Sequence, residues 1–143
     1  MQLTVITPDK TVIDKDIDEL IVNTPSGQIG ILPNHMPLVT AVTPGEMILK
    51  IKGNPEHYAL TGGFLEVGRE GITLLADYAI HSEEIEVEKA LEAKRRAEEI
   101  LKKSKESISQ RDFVVAQAEL RKAVLQINVA NRHRRERSAI PQR

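Results

Sequence analysis

Gly71-Ile72-Thr73-Leu74-Leu75-Ala76 is the stretch on which this chain changes character. All eight glycines lie at or before Gly71, and six of the seven prolines precede it. From Ile72 to Ile140 there is neither residue, and only Pro141 follows. Charge divides in nearly the same place: residues 1–84 carry a net −7 and residues 85–143 a net +6, within an overall −1 over 143 residues. The near-neutral average therefore hides an acidic, turn-rich body and a basic, breaker-free tail. A domain spanning 1–84 and another spanning 85–143 are expected, with different physics and different tasks.

Towards the N-terminus, short β-rich runs recur every 8–12 residues or so, each closed by a turn signal. Leu3–Thr7 ends at Pro8-Asp9, and Thr11–Ile13 runs into a stretch crowded with aspartate. Glu19–Thr24, Gln28–Leu32, Leu38–Val42 and Met47–Lys52 each end at a proline, glycine or asparagine cluster. Tyr58–Thr61, Phe64–Val67 and Ile72–Ala76 complete the series. Aromatic residues make up only 3% of the chain, so Ile, Leu and Val must fill the core. The pattern predicts nine or ten short strands in two packed sheets, a β-sandwich.

Towards the C-terminus, the breaker-free stretch is rich in Ala, Glu, Lys, Arg and Leu, all good helix formers. Phe113, Ala116, Leu120, Ala123, Ile127 and Ala130 repeat at alternating steps of three and four, as do Ala90, Ala93, Ala97 and Ile100. Between them lies the polar segment Lys102–Gln110, where Ser109 and Asp112 have capping-box spacing. Two antiparallel helices are predicted, about 86–103 and about 110–135, meeting through alanines. An alanine face buries little area at about 25 cal/mol per Å². Such a hairpin is weakly held and suited to switching.

Catalytic chemistry finds no foothold in this sequence. No cysteine is present, which excludes disulfides, thiol catalysis and thiolate metal sites. His35, His57, His81 and His133 lack the i, i+3 or i, i+4 spacing of helical metal ligands. There is no nucleophile elbow, phosphate loop or dinucleotide fingerprint, and Gly62-Gly63 reads as a tight turn or bulge. No apolar run approaches the ~20 residues of a membrane span, and no leader-like segment opens the sequence, so a soluble, cytoplasmic-side protein is expected.

The tail's cations allow more than one reading. Lys89 and Arg96 are seven residues apart on one helical face, and Lys122 returns at about the height of Arg96. Three such cations suit a polyphosphate, whereas pairing with glutamates one turn away accounts for the same residues. The run Arg132, Arg134, Arg135 and Arg137 suits an acidic protein or a nucleic acid on charge alone. Nucleic-acid binding would call for aromatics among the basic residues, yet Phe113 is the only aromatic after Tyr78. An enzyme or ligand-binding sandwich with a helical oligomerisation tail would call for a catalytic constellation, which is missing.

Gly27-Gln28-Ile29-Gly30-Ile31-Leu32-Pro33-Asn34-His35-Met36-Pro37-Leu38-Val39 resembles the Gly-x-Leu-Gly-Ile-Leu-Pro-Gly-His-x-Pro-Leu signature of the ε subunits of bacterial F-type ATP synthases. Gly62-Gly63-Phe64-Leu65-Glu66-Val67 and Thr73-Leu74-Leu75-Ala76-Asp77 resemble two further signatures of that family, and the body plan is similar over residues 2–131. The resemblance implies a non-catalytic rotor subunit of a proton- or sodium-translocating synthase, peripheral to the cytoplasmic face of a bacterial membrane and not inserted in it. Its partners would be the γ subunit and the c-ring, with Gln28, Asn34 and His35 towards the c-ring. In an extended state the hairpin would enter the α/β catalytic head and inhibit ATP hydrolysis through Arg121, Lys122, Arg132, Arg134, Arg135 and Arg137.

No cofactor is required by this resemblance, but some members bind regulatory ATP through an Ile/Leu-Asp-x-x-Arg-Ala motif. Ile85-Glu86-Val87-Glu88-Lys89-Ala90 departs from it twice, with Glu for Asp and Lys for Arg. Glu83 and Arg96 match, Lys122 supplies a second-helix cation, and Gln126 stands where another cation is usual. An ATP site built from Glu83, Glu86, Lys89, Arg96 and Lys122 is therefore expected to be weakened. Two departures touch the first signature: Gln28 replaces an acidic residue, and Asn34 stands where glycine is usual, a substitution that the left-handed conformation tolerates.

Overall fold

A computed structural model describes residues 1–107 and 109–139, except for the side chains of 104–107 and 134–139. Ten strands precede two helices: β1 (Gln2–Ile6), β2 (Thr11–Asp16), β3 (Glu19–Thr24), β4 (Gly27–Ile31), β5 (Leu38–Val42), β6 (Gly45–Ile51), β7 (Asn54–Leu60), β8 (Gly63–Val67), β9 (Ile72–Ala76) and β10 (Ala79–His81). A single-turn 3-10 segment, Ser82–Glu84, leads to α1 (Val87–Ser107) and α2 (Gln110–Ala139). The chain divides into two compact units, Met1–Ser82 and a second that begins at Glu83.

The strands form two five-stranded sheets, ordered β2-β1-β9-β8-β5 and β10-β7-β6-β3-β4. Neighbouring strands are antiparallel except β1 and β9, which pair in parallel with Leu3 opposite Ile72 and Ile6 opposite Leu75. Alternation puts Leu3, Val5, Leu65, Val67 and Leu74 of the first sheet on its inner face. They meet Leu20, Val22, Met47, Leu49 and Leu60 of the second sheet, all buried, in an aliphatic core. The predicted β-sandwich with a two-helix C-terminal segment is the observed fold.

Three local readings are corrected. The aspartate-rich stretch after Ile13 is strand rather than turn, because β2 is an edge strand whose Asp14 and Asp16 point to water. The strand Ala79–His81 was not among the predicted runs, being too short to show a period. Both helices also run several residues beyond the expected ends, since nothing in 104–107 or 136–139 breaks them.

Helix α2 begins as its cap dictates: the backbone N–H of Asp112 donates to Ser109 Oγ at 3.2 Å, and that of Phe113 to the Ser109 carbonyl at 3.1 Å. Ala90 and Ala97 of α1, and Ala116 and Ala123 of α2, are buried, as the alanine seam requires. Two seam assignments shift. Ile100 is exposed, while Val129, outside the predicted repeat, is buried.

Candidate docking and regulatory surfaces

The outer face of the first sheet is not the polar surface that an antiparallel sheet usually turns to solvent. Its register lines up Ile6, Leu75, Phe64 and Ala41 across β1, β9, β8 and β5. Phe64 is 64% exposed and Leu75 54%, and Val39, one row along on β5, is 75% exposed. At about 4.8 Å per strand this row extends roughly 14 Å. Sequence reading missed this face, although apolar residues at both alternating positions of Phe64–Leu65 and Leu74–Leu75 carried its signal. A 390 Å³ depression beside Phe64, lined also by Pro8 and Asp77, could seat a partner side chain.

Gly63 makes the row possible. A Cβ there would overlap the Leu75 carbonyl oxygen and approach Ala76 Cα to 2.9 Å, so only glycine lets β8 lie this close to β9. The Gly62-Gly63 pair thus opens β8 rather than merely turning the chain.

The three residues assigned to the c-ring do not lie together. Gln28 is in β4, exposed, opposite Asn23 and next to the Pro25-Ser26 turn. Asn34 and His35 belong to the connection that leaves the other end of β4, at least ~10 Å further along at 3.3 Å per residue. Gly27–Ile31 is a paired strand, as the run Gln28–Leu32 predicts, and it separates Gln28 from His35. Asn34 takes the left-handed conformation, φ 67°, as its place in the signature suggested. The His35 backbone N–H donates to Leu32 O at 3.1 Å, and its ring Nδ1–H to Met36 O at 2.7 Å. Asn34 and His35 line a 510 Å³ cleft with Arg69 and Glu70 of the β8–β9 turn.

In the hairpin, the α1 cations are already engaged. Lys89 Nζ lies 2.7 Å from Glu86 Oε2, three residues back, and this hydrogen bond and charge raise the Lys89 pKa above 10.5. Arg96 Nη2 lies 3.0 Å from Glu92 Oε1. Each pair is mostly exposed, so solvent screens it and it adds little to stability. Arg96 also lines a 430 Å³ groove with Ala97, Ile100, Val115, Asp112 and Glu119. A triphosphate there would have to displace Glu86 and Glu92 and would meet two further carboxylates. Of the remaining expected residues, Glu83 and Lys122 are engaged with neighbours, Arg121 is exposed, and Arg132 is exposed yet also engaged. The side chains of Arg134, Arg135 and Arg137 lie outside the described residues.

Elsewhere, polar pairs serve the sandwich. Lys15 of β2 reaches across to Glu56 of β7 at 2.7 Å, and Tyr58 Oη donates to the same carboxylate at 3.1 Å. The Lys15 hydrogen bond is the main reason that the Glu56 carboxyl lies below its ordinary value of 4.5. His57 Nδ1 is 2.8 Å from Glu46 Oε1, both side chains being buried. Among the described residues, no group of three His, Cys, Asp or Glu side chains could hold a metal ion. Nor is any helix among them long and apolar enough to cross a membrane.

Residues 1–82 match the family model for the β-sandwich domain of the ATP synthase delta/epsilon chain, and residues 83–131 match that for its long alpha-helix domain. The ATP synthase epsilon chain of Symbiobacterium thermophilum is 43% identical over 131 residues, 91% of this chain and 92% of the relative. That of Caldanaerobacter subterraneus subsp. tengcongensis is 38% identical over 132 residues, 92% of this chain and 94% of the relative. A sodium-ion-specific epsilon chain from Propionigenium modestum is 37% identical, over 92% of this chain and 94% of its own length. Among solved structures, the fold is similar to a chain of the Euglena gracilis mitochondrial ATP synthase OSCP/F1/c-ring structure, with a TM-score of 0.66 at 23% identity over 83% of this chain and 74% of that one. It is similar also to a chain of the Tetrahymena thermophila central stalk/c-ring structure, with a TM-score of 0.57 at 15% identity over 91% and 96%. By its sandwich, its helices and its sequence, the chain belongs to the ATP synthase delta/epsilon chain family of non-catalytic stalk subunits.

Proposed function

We propose that this chain is a rotor subunit that couples γ to the c-ring of a proton- or sodium-driven synthase at the cytoplasmic face of a bacterial membrane, and that its hairpin restrains ATP hydrolysis. The observation that carries the reading is the exposed apolar row Ile6–Leu75–Phe64–Ala41 with Val39 beside it. An apolar strip on the outside of a sandwich that already has a complete core marks a protein–protein contact. In this reading the strip docks on γ.

Gln28, Asn34 and His35 then face the c-ring at two places along β4. The Gln28 end, with the Pro25-Ser26 turn, meets the polar loops of c. Asn34 and His35, at least ~10 Å further along β4, reach the c-ring at a second place beside the cleft they line with Arg69 and Glu70. Arg121, Lys122, Arg132, Arg134, Arg135 and Arg137 form the arm that reaches acidic segments of the α/β head in an extended state. Exposed contacts of this kind are each worth about 1 kcal/mol or less and act collectively. Regulatory ATP, bound through Glu83, Glu86, Lys89, Arg96 and Lys122, is weak, because Lys89 lacks the planar fork of Arg and the α1 cations already hold carboxylates.

The reading is tested by replacing Phe64 with Asp in the full chain and measuring capture by γ. Capture should fall at least tenfold while the thermal unfolding midpoint stays within a few degrees, since Phe64 faces water in the free subunit. Undiminished capture would remove the strip from the γ contact.

A further inference from the structure

We propose that the same sheet face carries its own electrostatic key: Glu66 is a docking carboxylate, and the partner surface must bring a lysine or arginine about 7 Å from its apolar ridge. This rests on the reading that the face docks on γ, and it adds what γ must carry there.

Glu66 stands directly opposite Val39 on β5 and Thr73 on β9, and Thr73 in turn opposite Thr4 on β1. Asp14 of β2 ends the row, opposite Thr4. Next to the apolar row, therefore, lies a row that reads Val39, Glu66, Thr73, Thr4, Asp14. On one face of a strand, Phe64 and Glu66 are two residues apart, roughly 7 Å. Directly opposed side chains on a sheet face have Cβ atoms about 5 Å apart. A partner that buries Val39, the most exposed residue of the patch, thus also comes up against Glu66 and partly desolvates it.

A carboxylate covered without a counter-charge is costly. The Glu66 side chain is exposed and makes no ion pair or hydrogen bond among the described residues, and the same holds for the side chains of Glu70 and Arg69, which share with it a 370 Å³ cleft lined also by Thr4 and Thr73. Among the described residues, Asp14 accepts only from the Gln2 amide. The cleft holds two carboxylates and one guanidinium, so its net charge is −1, in a sandwich of net −7 over residues 1–84. Among the described residues Arg69 is the one cation lining this cleft, and one guanidinium leaves its two carboxylates only half compensated. The matching surface is an apolar ridge flanked by a basic side chain, whereas a uniformly apolar or an acidic surface would be rejected. Being at the rim of the footprint, the charge acts mainly on the association rate and its salt dependence.

The test uses full-length chains and isolated γ, with association followed by surface plasmon resonance at ~50 mM and ~500 mM salt. Glu66→Gln and Glu66→Lys are compared with the parent and with Phe64→Asp. The expected result is a graded loss of association rate at low salt, about threefold or more for Gln and tenfold or more for Lys, that largely disappears at high salt. Rates for Glu66→Lys equal to or faster than the parent at low salt would overturn the key. If Phe64→Asp abolishes binding while both Glu66 variants match the parent at both salts, the key fails and the docking face stands. If Phe64→Asp also binds like the parent, the docking face itself fails.

Discussion

Replacing Gly63 with Ala probes the link between one backbone position and the docking face. Gly63 has φ 156°, within the region that L side chains rarely adopt, and its absent Cβ would fall on backbone atoms of Leu75 and Ala76 rather than on a flexible side chain. Accommodation therefore requires β8 and β9 to separate where Gly63 pairs with Ala76 and Phe64 with Leu75. Strain at such a φ costs about 1–3 kcal/mol, and overpacking adds about 1–3 kcal/mol. The total, about 2–6 kcal/mol, is a large share of the ~5–15 kcal/mol by which domains are stable. With a urea m-value of ~2 kcal/mol/M, the midpoint should fall by ~1–3 M. Gly53→Ala is the control: φ is 81° but nothing lies within 4 Å of its Cβ, so only the strain component applies. Urea unfolding of both full-length variants decides the matter. A Gly63→Ala midpoint no lower than that of Gly53→Ala would refute the close-approach argument. The register of the row would then not depend on this glycine.

Two further outcomes follow from the charges. Lys15 holds the Glu56 carboxyl below 4.5, so its stabilisation is present above that value and is lost as pH falls through the depressed folded-state pKa. Lys15→Met should therefore lower stability at pH 7 and converge with the parent in the acid limb, once the pH has fallen below the depressed folded-state pKa; a deficit that stays constant through the whole acid limb would assign the loss to packing rather than charge. A chain stopped at Ala130, which removes Arg132, Arg134, Arg135 and Arg137, should release ATP hydrolysis in the reconstituted enzyme at low salt and differ less from full length at high salt. Equal rates at both salts would take the arginines out of the inhibitory arm.

Periodicity alone determined the architecture of this protein. Turn residues every 8–12 positions require short strands, and their absence from Ile72 to Ile140, joined to a three-four alanine repeat, requires helices. Those are local properties, set by φ preferences and by which face of an element is apolar, so they survive without knowledge of neighbours. The cap at Ser109 and the left-handed Asn34 belong to the same class. Tertiary structure decided everything that depends on register between distant strands. Phe64, Leu75 and Ile6 are dispersed over about 70 residues, and only the parallel pairing of β1 with β9 and the antiparallel pairing of β8 with β9 bring them into one exposed row with Ala41. The same pairings set Glu66 against Val39. Gln28 and His35, seven residues apart in one signature, lie towards opposite ends of β4 because β3 supplies hydrogen-bonding partners for the residues between them. Spacing along the chain fixes which side of an element a residue occupies, and only strand pairing fixes what stands next to it.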